Sequence, residues 1–578
     1  MSNSSAKKSL RAWLPALPCL VFLICFFCVP VVEILQTGMY DAGGHVTLDQ
    51  FRRMTSDLVF AKVLGNTFLI SGLTALLSVL LGFPVAYFLS QLSDRFRERW
   101  MIWIMVPFWT SYLVKTFAWI LVLSKTGILL TLASGLGLVD DPAALAPSMT
   151  GVMIGMVHAM LPLAVINMLP IMRGVNAQLL QAAETLGANR SVAFFSVFLP
   201  MAGPGIAAAG LLVFITSLGF FILPALLGTP RETMVAQMVI SAINDLFNLP
   251  YAAALSTILL IFAVAVFMLY DKLVGLSSLS GEARAAPKKN RSAATAVLIR
   301  VGRLCGSGYG MAGPALAKVR GLRLYSVMVV ALLSLPILVV FPIAFTDSPF
   351  LSFPPRGFSL RWFEAFMLSP VWQASFLRSF GVAIVTAVAS TALGIGAALA
   401  LTRLPARWTK PVFAFLLAPL IVPRIVVAVG LFYLFSRLEL VGTDLGLVIG
   451  HTVLAIPYVV VTMAAALKRF DWRIDDAAKI LGASSFARLR TIQLPMMIGS
   501  VAAALQMAFI ISFDELTIAI FVSGGMKNTL PKQMWDDMIL QVNPTLAAVS
   551  LVMVIVIALL VLLPALYKTA RRRASTSY

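Results

Sequence analysis

Two adjacent acids, Asp514 and Glu515, stand inside a long apolar run. An ionisable side chain at membrane depth costs about 2.5–3.5 kcal/mol on insertion scales, so it normally faces a protein interior or a wet cavity. Here the acids read either as part of a path that selects a cation, or as a local cap or ion pair with Arg378 or Lys115. Trp535 precedes a second pair, Asp536 and Asp537. An aromatic face beside carboxylates suits an amine through cation–π attraction and ion pairing, although interfacial Trp is also the ordinary membrane belt. Trp109 and Tyr112, close to a span expected to break at Pro107, carry the same two readings. His158 and His451 each stand alone and read as hydrogen-bonded structure. Cys25-x-x-Cys28, with Cys19 nearby, has redox or zinc spacing. It lacks any His or polar companion, so it reads as inert buried thiols. No cluster has metal-site spacing, and no nucleophile stands with a base. The dipeptide Gly-Lys is absent, so the chain has no Walker A phosphate cradle.

The elements that must hold these residues follow from composition. Of 578 residues, 60% are hydrophobic and 12% charged, with a mean hydropathy of +0.94. A soluble domain runs at about 45–50% apolar and about 25% charged. A soluble enzyme, a disordered chain and a disulfide scaffold are thereby excluded, and an all-α integral membrane protein is expected. The net charge of +20 reads as Lys and Arg on cytoplasmic loops, not as a nucleic-acid surface. A span needs about 20 apolar residues. About 12 transmembrane helices are expected, six near 12–35, 64–90, 101–123, 149–172, 200–228 and 251–270. The other six lie near 324–346, 377–402, 411–435, 446–467, 496–523 and 546–567. The first follows Lys7, Lys8 and Arg11 and reads as an uncleaved anchor. With the N-terminus in the cytoplasm, 31 of the 44 basic residues fall on the inner side, which favours cytoplasmic N- and C-termini. The basic, Ser/Ala/Gly-rich segment 271–323 reads as a cytoplasmic linker between a first half (1–270) and a second (324–578). Its Gly306-Ser-Gly308-Tyr-Gly310 lacks a preceding strand and belongs to that linker.

The halves are repeats. "LPLAVINMLP" carries Pro162 and "LAIPYVVVTM" carries Pro457, an offset of 295. At that offset "AAETLGANRSVAFFSVFLP" (182–200) falls on "AAKILGASSFARLRTIQLP" (477–495) without a gap, and Ser217-Leu-Gly-Phe falls on Ser512-Phe-Asp-Glu. The acids therefore have no counterpart in the first half. Upstream, Pro107 falls on Pro419 at an offset of 312. Six spans per half is an even number, so the two six-helix repeats run in parallel. The repeated loop reads Gln181-Ala182-Ala183, Gly187, Val197 and Leu199-Pro200 in one half. In the other it reads Asp476-Ala477-Ala478, Gly482, Ile492 and Leu494-Pro495. It is expected to form two short helices joined at a Gly turn. Phe194, Phe195, Val197 and Phe198, with Leu489 and Ile492, would pack the second helix on the spans, and the Pro would open the next span.

This pair of loops resembles the EAA coupling loop of type I ABC-importer permeases, and the resemblance covers nearly the whole chain. Gln181 and Asp476 stand where that family usually has Glu, and Pro204 in one half faces Gly499 in the other. "VPFWTSYLVKTFAWILVL" (106–123) and "LGFFILPALLGTPRETMVAQMV" (218–239) look like the first permease of a spermidine/putrescine-type system. "APLIVPRIVVAVGLFYLF" (418–435) and "SFDELTIAIFVSGGMKNTLPKQMWDDM" (512–538) look like the second. The resemblance implies a fusion of both permeases in a bacterial inner membrane, importing a small cationic amine. Ferric-iron, phosphonate and opine importers have related permeases, and a secondary transporter is the other class with twelve spans. It further implies two copies of a cytoplasmic ATPase docked on the coupling loops, which would bring ATP and Mg. This chain would bind no cofactor. A periplasmic binding protein would deliver the cargo. The orientation has its own test: a cysteine placed near Ser292 should stay unlabelled by an impermeant thiol reagent in intact cells, and labelling there would invert the topology.

Overall fold

The architecture is that of a computed structural model, which describes residues 12–575 apart from 41–44, 126, 136, 138–144, 275–314, 352, 356, 526 and 541. Most of the expected linker 271–323 lies outside the described residues. Its flanks are helical: the helix before it runs to Val274 and the helix after it starts at Ala315. Among the described residues nine helices are long and apolar enough to cross a bilayer, or eleven when two sharply bent pairs count as one span each. The last helix is a further apolar one over Thr545–Val561. The expected count of about twelve follows from these together.

The first half comprises α1 (Leu17–Thr37), α2 (Leu58–Gln91), α3 (Asp94–Trp109), α4 (Tyr112–Leu123) and α5 (Met149–Arg173). It continues with α6 (Ala177–Thr185), α7 (Arg190–Leu218), α8 (Ile222–Leu227), α9 (Val235–Asn244) and α10 (Leu249–Val274). The second half repeats the order as α11 (Ala315–Ala344), α12 (Pro370–Arg403), α13 (Ala406–Ile421), α14 (Arg424–Arg437) and α15 (Asp444–Lys468). Then follow α16 (Trp472–Ile480), α17 (Ser485–Met496), α18 (Ile498–Phe513), α19 (Thr517–Val522), α20 (Leu530–Leu540) and α21 (Thr545–Ser575). One difference breaks the repeat: α17 and α18 meet at 81°, whereas α7 runs unbroken across the matching positions.

Each half is built on a three-helix core, α2/α5/α7 in the first and α12/α15/α18 in the second. Lipid gives no hydrophobic drive between apolar helices, so their approach depends on small residues at the crossings. Gly82 on α2 lies against Val165 and Ala164 of α5, and Gly394, its equivalent on α12, lies against Val459 of α15. The first helix of each half leans on the other half. α1 packs on α12 and α14, where Gly430 lets the backbone of Pro30 approach, and Glu33 pairs with Arg437. α11 packs on α2, α3 and α4. The thiols Cys19, Cys25 and Cys28 on α1 are free; Cys19 is buried, but Cys25 is exposed on the helix surface instead of buried as expected.

Four expected spans are interrupted. The span expected over 101–123 is two helices, α3 and α4, and the break falls at Thr110–Ser111; Pro107 lies inside α3. The span expected over 411–435 is α13 and α14, bent by 92° at Val422–Pro423. The span expected over 200–228 stops at Gly219 and restarts at Ile222, and the one expected over 496–523 stops at Asp514 and restarts at Thr517. The breaks match in pairs at the sequence offsets of 312 and 295.

The crossing glycines yield a stability prediction. A Cβ on Gly394 would meet Val459 Cγ1 at 2.4 Å, while Gly381 on the same helix has nothing within 4 Å. Gly394→Leu should destabilise the detergent-solubilised protein by about 1–3 kcal/mol or more through overpacking, read as a lower unfolding temperature. Gly381→Leu should leave that temperature unchanged.

Candidate translocation site and coupling loops

The two repeated loops make the expected Gly turns, and the reason is local. In the first, the Asn176 side chain caps α6 by accepting from Gln178 N–H at 2.9 Å. The helix ends at Gly187 with φ +89°, and Ala188 N–H reaches back to Ala183 O at 3.0 Å. In the second, Asp471 caps α16, Gly482 has φ +84°, and Ala483 N–H reaches Ala478 O at 3.0 Å. This is the left-handed helix end that Gly adopts without steric penalty. The Asp471 carboxyl is held below its usual range by the hydrogen bond from Arg473. Gln181, Ala182, Gly187, Asp476, Ala477 and Gly482 are exposed, and Ala183 and Ala478 are half-buried. Around both turns apolar side chains point outward: Leu186 is 89% exposed, Leu481 87% and Ile480 85%.

In the first half the second helix of the loop is not a separate piece: it runs through a π-helical turn, Phe194–Phe198, straight into the rest of α7, with Pro200 in the first turn that follows. In the second half the chain continues from the π-helical turn Leu489–Gln493 past Pro495 only to Met496, where α17 ends and meets α18 at 81°. Phe194 and Phe198 pack edge-on against Tyr87 at 5.3 and 4.9 Å. The second half reaches the same anchoring by polar means that the sequence reading missed. Asp475, buried, accepts from Arg488 Nη1 at 2.9 Å and from Gln493 Nε2 at 2.8 Å. The equivalent positions in the first half are Leu180, Ala193 and Phe198. Three apolar residues replaced by an acid, a base and an amide at one offset is the signal that could have revealed this clamp.

The four helix breaks come together. A Cβ on Gly219 would lie 2.9 Å from Pro423 Cβ and 3.5 Å from Arg424 N, so the first half's break sits on the second half's break. In return, the Asp514 break lies beside Ser111, Tyr112 and Lys115 of the first half. The Ser111 hydroxyl accepts from Leu113 N–H at 3.2 Å and starts α4. The sequence offsets pair Tyr112 with Arg424 and Phe220 with Glu515. In the first half these positions hold an aromatic pair, Tyr112 on Phe220 at 4.9 Å. In the second they hold a charged pair, Arg424 and Glu515. The offsets carried this exchange of aromatic for ionic residues, and only the structure brought the four positions together.

The two acids have different surroundings. Neither lies within a helix span, because the chain breaks at them. Glu515 is 1% exposed. Its carboxylate accepts from Ile518 N–H at 2.9 and 3.1 Å and from Ala519 N–H at 3.3 Å, capping α19. His451 Nε2 lies 3.5 Å from it, while His451 Nδ1 is 2.8 Å from the Ser512 hydroxyl. Asp514 is half-buried and faces the Ser111 hydroxyl, Tyr112 N–H, Lys115 and Arg424. Arg378, one expected partner, pairs instead with Asp444 at 3.0 Å. The group Trp535, Asp536 and Asp537 does not converge. Trp535 is buried edge-on against Phe221 at 5.3 Å, Asp536 is ion-paired with Lys532, and Asp537 accepts from Gln533 at 2.8 Å. Successive residues on a helix face different ways, so the Trp and the acids part. Trp109 is half-buried on the last turn of α3. His158 bonds Leu333 O at 3.1 Å and packs on Trp119, which is structural, as expected.

The buried clamp has a direct test. Breaking a buried ion pair by removing one partner costs about 3–5 kcal/mol. Asp475→Ala should therefore loosen α16 from α17 and speed proteolysis within 468–490, and adding Arg488→Met should slow it again. An unchanged cleavage rate in Asp475→Ala would show that the clamp does not hold the loop.

Comparison with known proteins agrees with this architecture. The sequence matches the family described as "Binding-protein-dependent transport system inner membrane component" twice, over residues 78–275 and 390–575. It is 28% identical over 262 residues to the "Spermidine/putrescine transport system permease protein PotB" of Haemophilus influenzae, covering 44% of this chain and 91% of that protein. It is 30% identical over 249 residues to the corresponding PotC protein of Escherichia coli, covering 43% of this chain and 93% of that one. Among solved structures, one from a bacterial ABC transporter importing alginate aligns with a TM-score of 0.41 and 18% identity, over 47% of this chain and 97% of that one. Two matched regions in one chain, each relative spanning under half of it, and a repeated multi-pass fold lead to one conclusion: the chain belongs to the family of inner-membrane components of binding-protein-dependent transport systems, with two type I importer permeases of the PotB/PotC kind fused in one polypeptide.

Proposed function

We propose that this chain supplies both permease halves of an ATP-driven importer that moves a small cationic amine, of the spermidine or putrescine class, into the cytoplasm. One observation carries the reading. Each exposed Gly-turn loop is linked by helix to a central break: α6 leads through the unbroken α7 to Gly219, and α16 leads through α17 and, across an 81° bend, α18 to Asp514. A force on the loops therefore reaches the place where the two halves meet. Without a phosphate cradle of its own, the chain takes that force from separate ATPase subunits, one per loop. Leu186, Ile480 and Leu481 are their apolar anchors, and ATP and Mg stay on those subunits. The N-terminus, linker and C-terminus face the cytoplasm with the loops. A periplasmic binding protein meets the opposite face.

In this reading Asp514 and Tyr112 touch the cargo. An ammonium that loses water needs a carboxylate or an aromatic face. Glu515 positions the break by capping α19 and does not contact cargo. The group of Trp535, Asp536 and Asp537 lines the outer approach, where only Asp537 is free of a cation partner. A second reading is favoured by charge: Lys115 and Arg424 balance Asp514 and Glu515, which suits a zwitterionic amine. Competition of labelled putrescine uptake by a panel of diamines and amino acids separates the two.

The assignment is tested in complexes reconstituted with the ATPase. Gly187→Val and Gly482→Val should each lower ATP-driven uptake about tenfold or more by straining a positive-φ turn, while membrane insertion persists. Asp514→Asn should lower amine uptake, and Glu515→Gln should chiefly lower thermal stability. Wild-type transport in both Gly variants would remove the coupling role.

A further inference from the structure

Lys115 is the polar group that the proposed mechanism leaves unused. It is 2% exposed, on the second turn of α4. Its ammonium lies 3.5 Å from Phe108 O and 4.7 Å from the centroid of the Tyr112 ring. Asp514 acts on it through space without an ion pair closer than 4 Å. The repeat has Val427 at the equivalent position, so Lys115 is the first half's cation near Asp514, where the second half adds Arg424. A buried ammonium requires such a counter-charge. Two features then bear on cargo. Asp514 and Tyr112 serve Lys115 with the same carboxylate and aromatic face that a cargo ammonium would need. A lysine side chain is, moreover, an aminobutyl group: four methylenes ending in a primary ammonium, the same unit that ends putrescine and spermidine.

We propose that Lys115 is a tethered cargo mimic: in the closed state its aminobutyl chain occupies the subsite at Asp514 and Tyr112 that the terminal aminobutyl group of the cargo takes during transport. This rests on the amine reading above and assigns the subsite within it. The exchange is non-covalent. As α4 and α19 part at their breaks, the Lys115 ammonium leaves the Tyr112 ring face and the field of Asp514, and the cargo ammonium takes its place. On return, Lys115 displaces the cargo, which keeps the site weak and favours release. The subsite also sets a rule of length. A primary ammonium on a stem of about four carbons fits, because that is the reach of the side chain it replaces.

The test uses the full chain reconstituted with its ATPase subunits in liposomes. Lys115→Ala should raise cargo-free ATP hydrolysis about fivefold or more, because the closed state loses its counter-ion. Adding n-butylamine should return hydrolysis toward the wild-type rate, while n-butanol, of matching length and no charge, should not. Lys115→Met keeps the stem without the charge. Its hydrolysis should rise similarly and stay raised with n-butylamine, because the stem fills the space; it also carries the test if the Ala variant fails to assemble. Wild-type basal hydrolysis in either variant, or equal rescue by butanol, would overturn the proposal. Labelled putrescine uptake by the wild-type complex is measured alongside. Its absence with butylamine rescue intact would discard the polyamine cargo and keep the Lys115 subsite, whereas uptake without rescue would do the reverse.

Discussion

A helix cannot stop inside hydrocarbon unless protein answers the backbone groups it frees. Among the described residues four expected spans stop within their apolar runs, at Thr110–Ser111, Gly219–Phe221, Val422–Pro423 and Asp514–Leu516. The first-half break at Gly219 is covered by the second-half break at Pro423, and the Asp514 break by Ser111 and Tyr112. The Glu515 carboxylate takes up N–H groups at the start of α19, and the Ser111 hydroxyl takes up one at the start of α4. The rest of the architecture serves this meeting. The three-helix cores support each half's breaks, and the exchange of α1 and α11 holds the halves together. The proposed route runs through these breaks because backbone and charge of both halves meet there.

Fusion lets the two copies of one fold diverge. At the breaks the first half keeps aromatics, Tyr112 and Phe220, where the second has Arg424 and Glu515. At the repeated Gly-turn loops the first half anchors through Phe194, Phe198 and Tyr87, and the second through Asp475, Arg488 and Gln493. In each case one half is apolar and the other charged. Charges of opposite sign must find partners in a low-dielectric interior, so the second half is fixed more specifically than the first. The bend between α17 and α18, absent from α7, adds to this inequality.

How much of this was legible in the sequence depends on the range of the interaction. Hydropathy displayed the membrane class, and the constant sequence offset displayed the repeat. The Gly turns at 187 and 482 were legible because a helix end is a local event with a local residue code. Of the interior breaks only that of the third span was expected, and it was placed at Pro107 instead of Thr110–Ser111. Gly219-Phe220-Phe221 and Asp514-Glu515-Leu516 are short and sit in apolar runs, so a span filter passes over them, and Pro107, the obvious breaker, lies within a helix. A Pro in a membrane helix is tolerated because neighbouring groups answer the carbonyl it frees. Asp514 and Glu515 were visible as acids at depth. That one caps a helix while the other faces Lys115 depends on which elements meet across the halves, and no spacing within the chain encodes it. Trp535 and its acids show the opposite error: neighbours in sequence that helix geometry sends apart.

The central claim is that the meeting of the breaks is the closed state of the route, and a single cross-link tests it. Cysteines at 219 and 423 would start with Cβ atoms 2.9 Å apart, and a small opening brings them to the disulfide spacing of about 3.5–4.5 Å. With a protease site introduced near Ser292, oxidised protein should keep its two halves joined after cleavage. ATP-driven uptake by the oxidised complex should stop and should return on reduction. Uptake that continues at the reduced rate with the cross-link in place would mean that the breaks never part, and the account would be wrong.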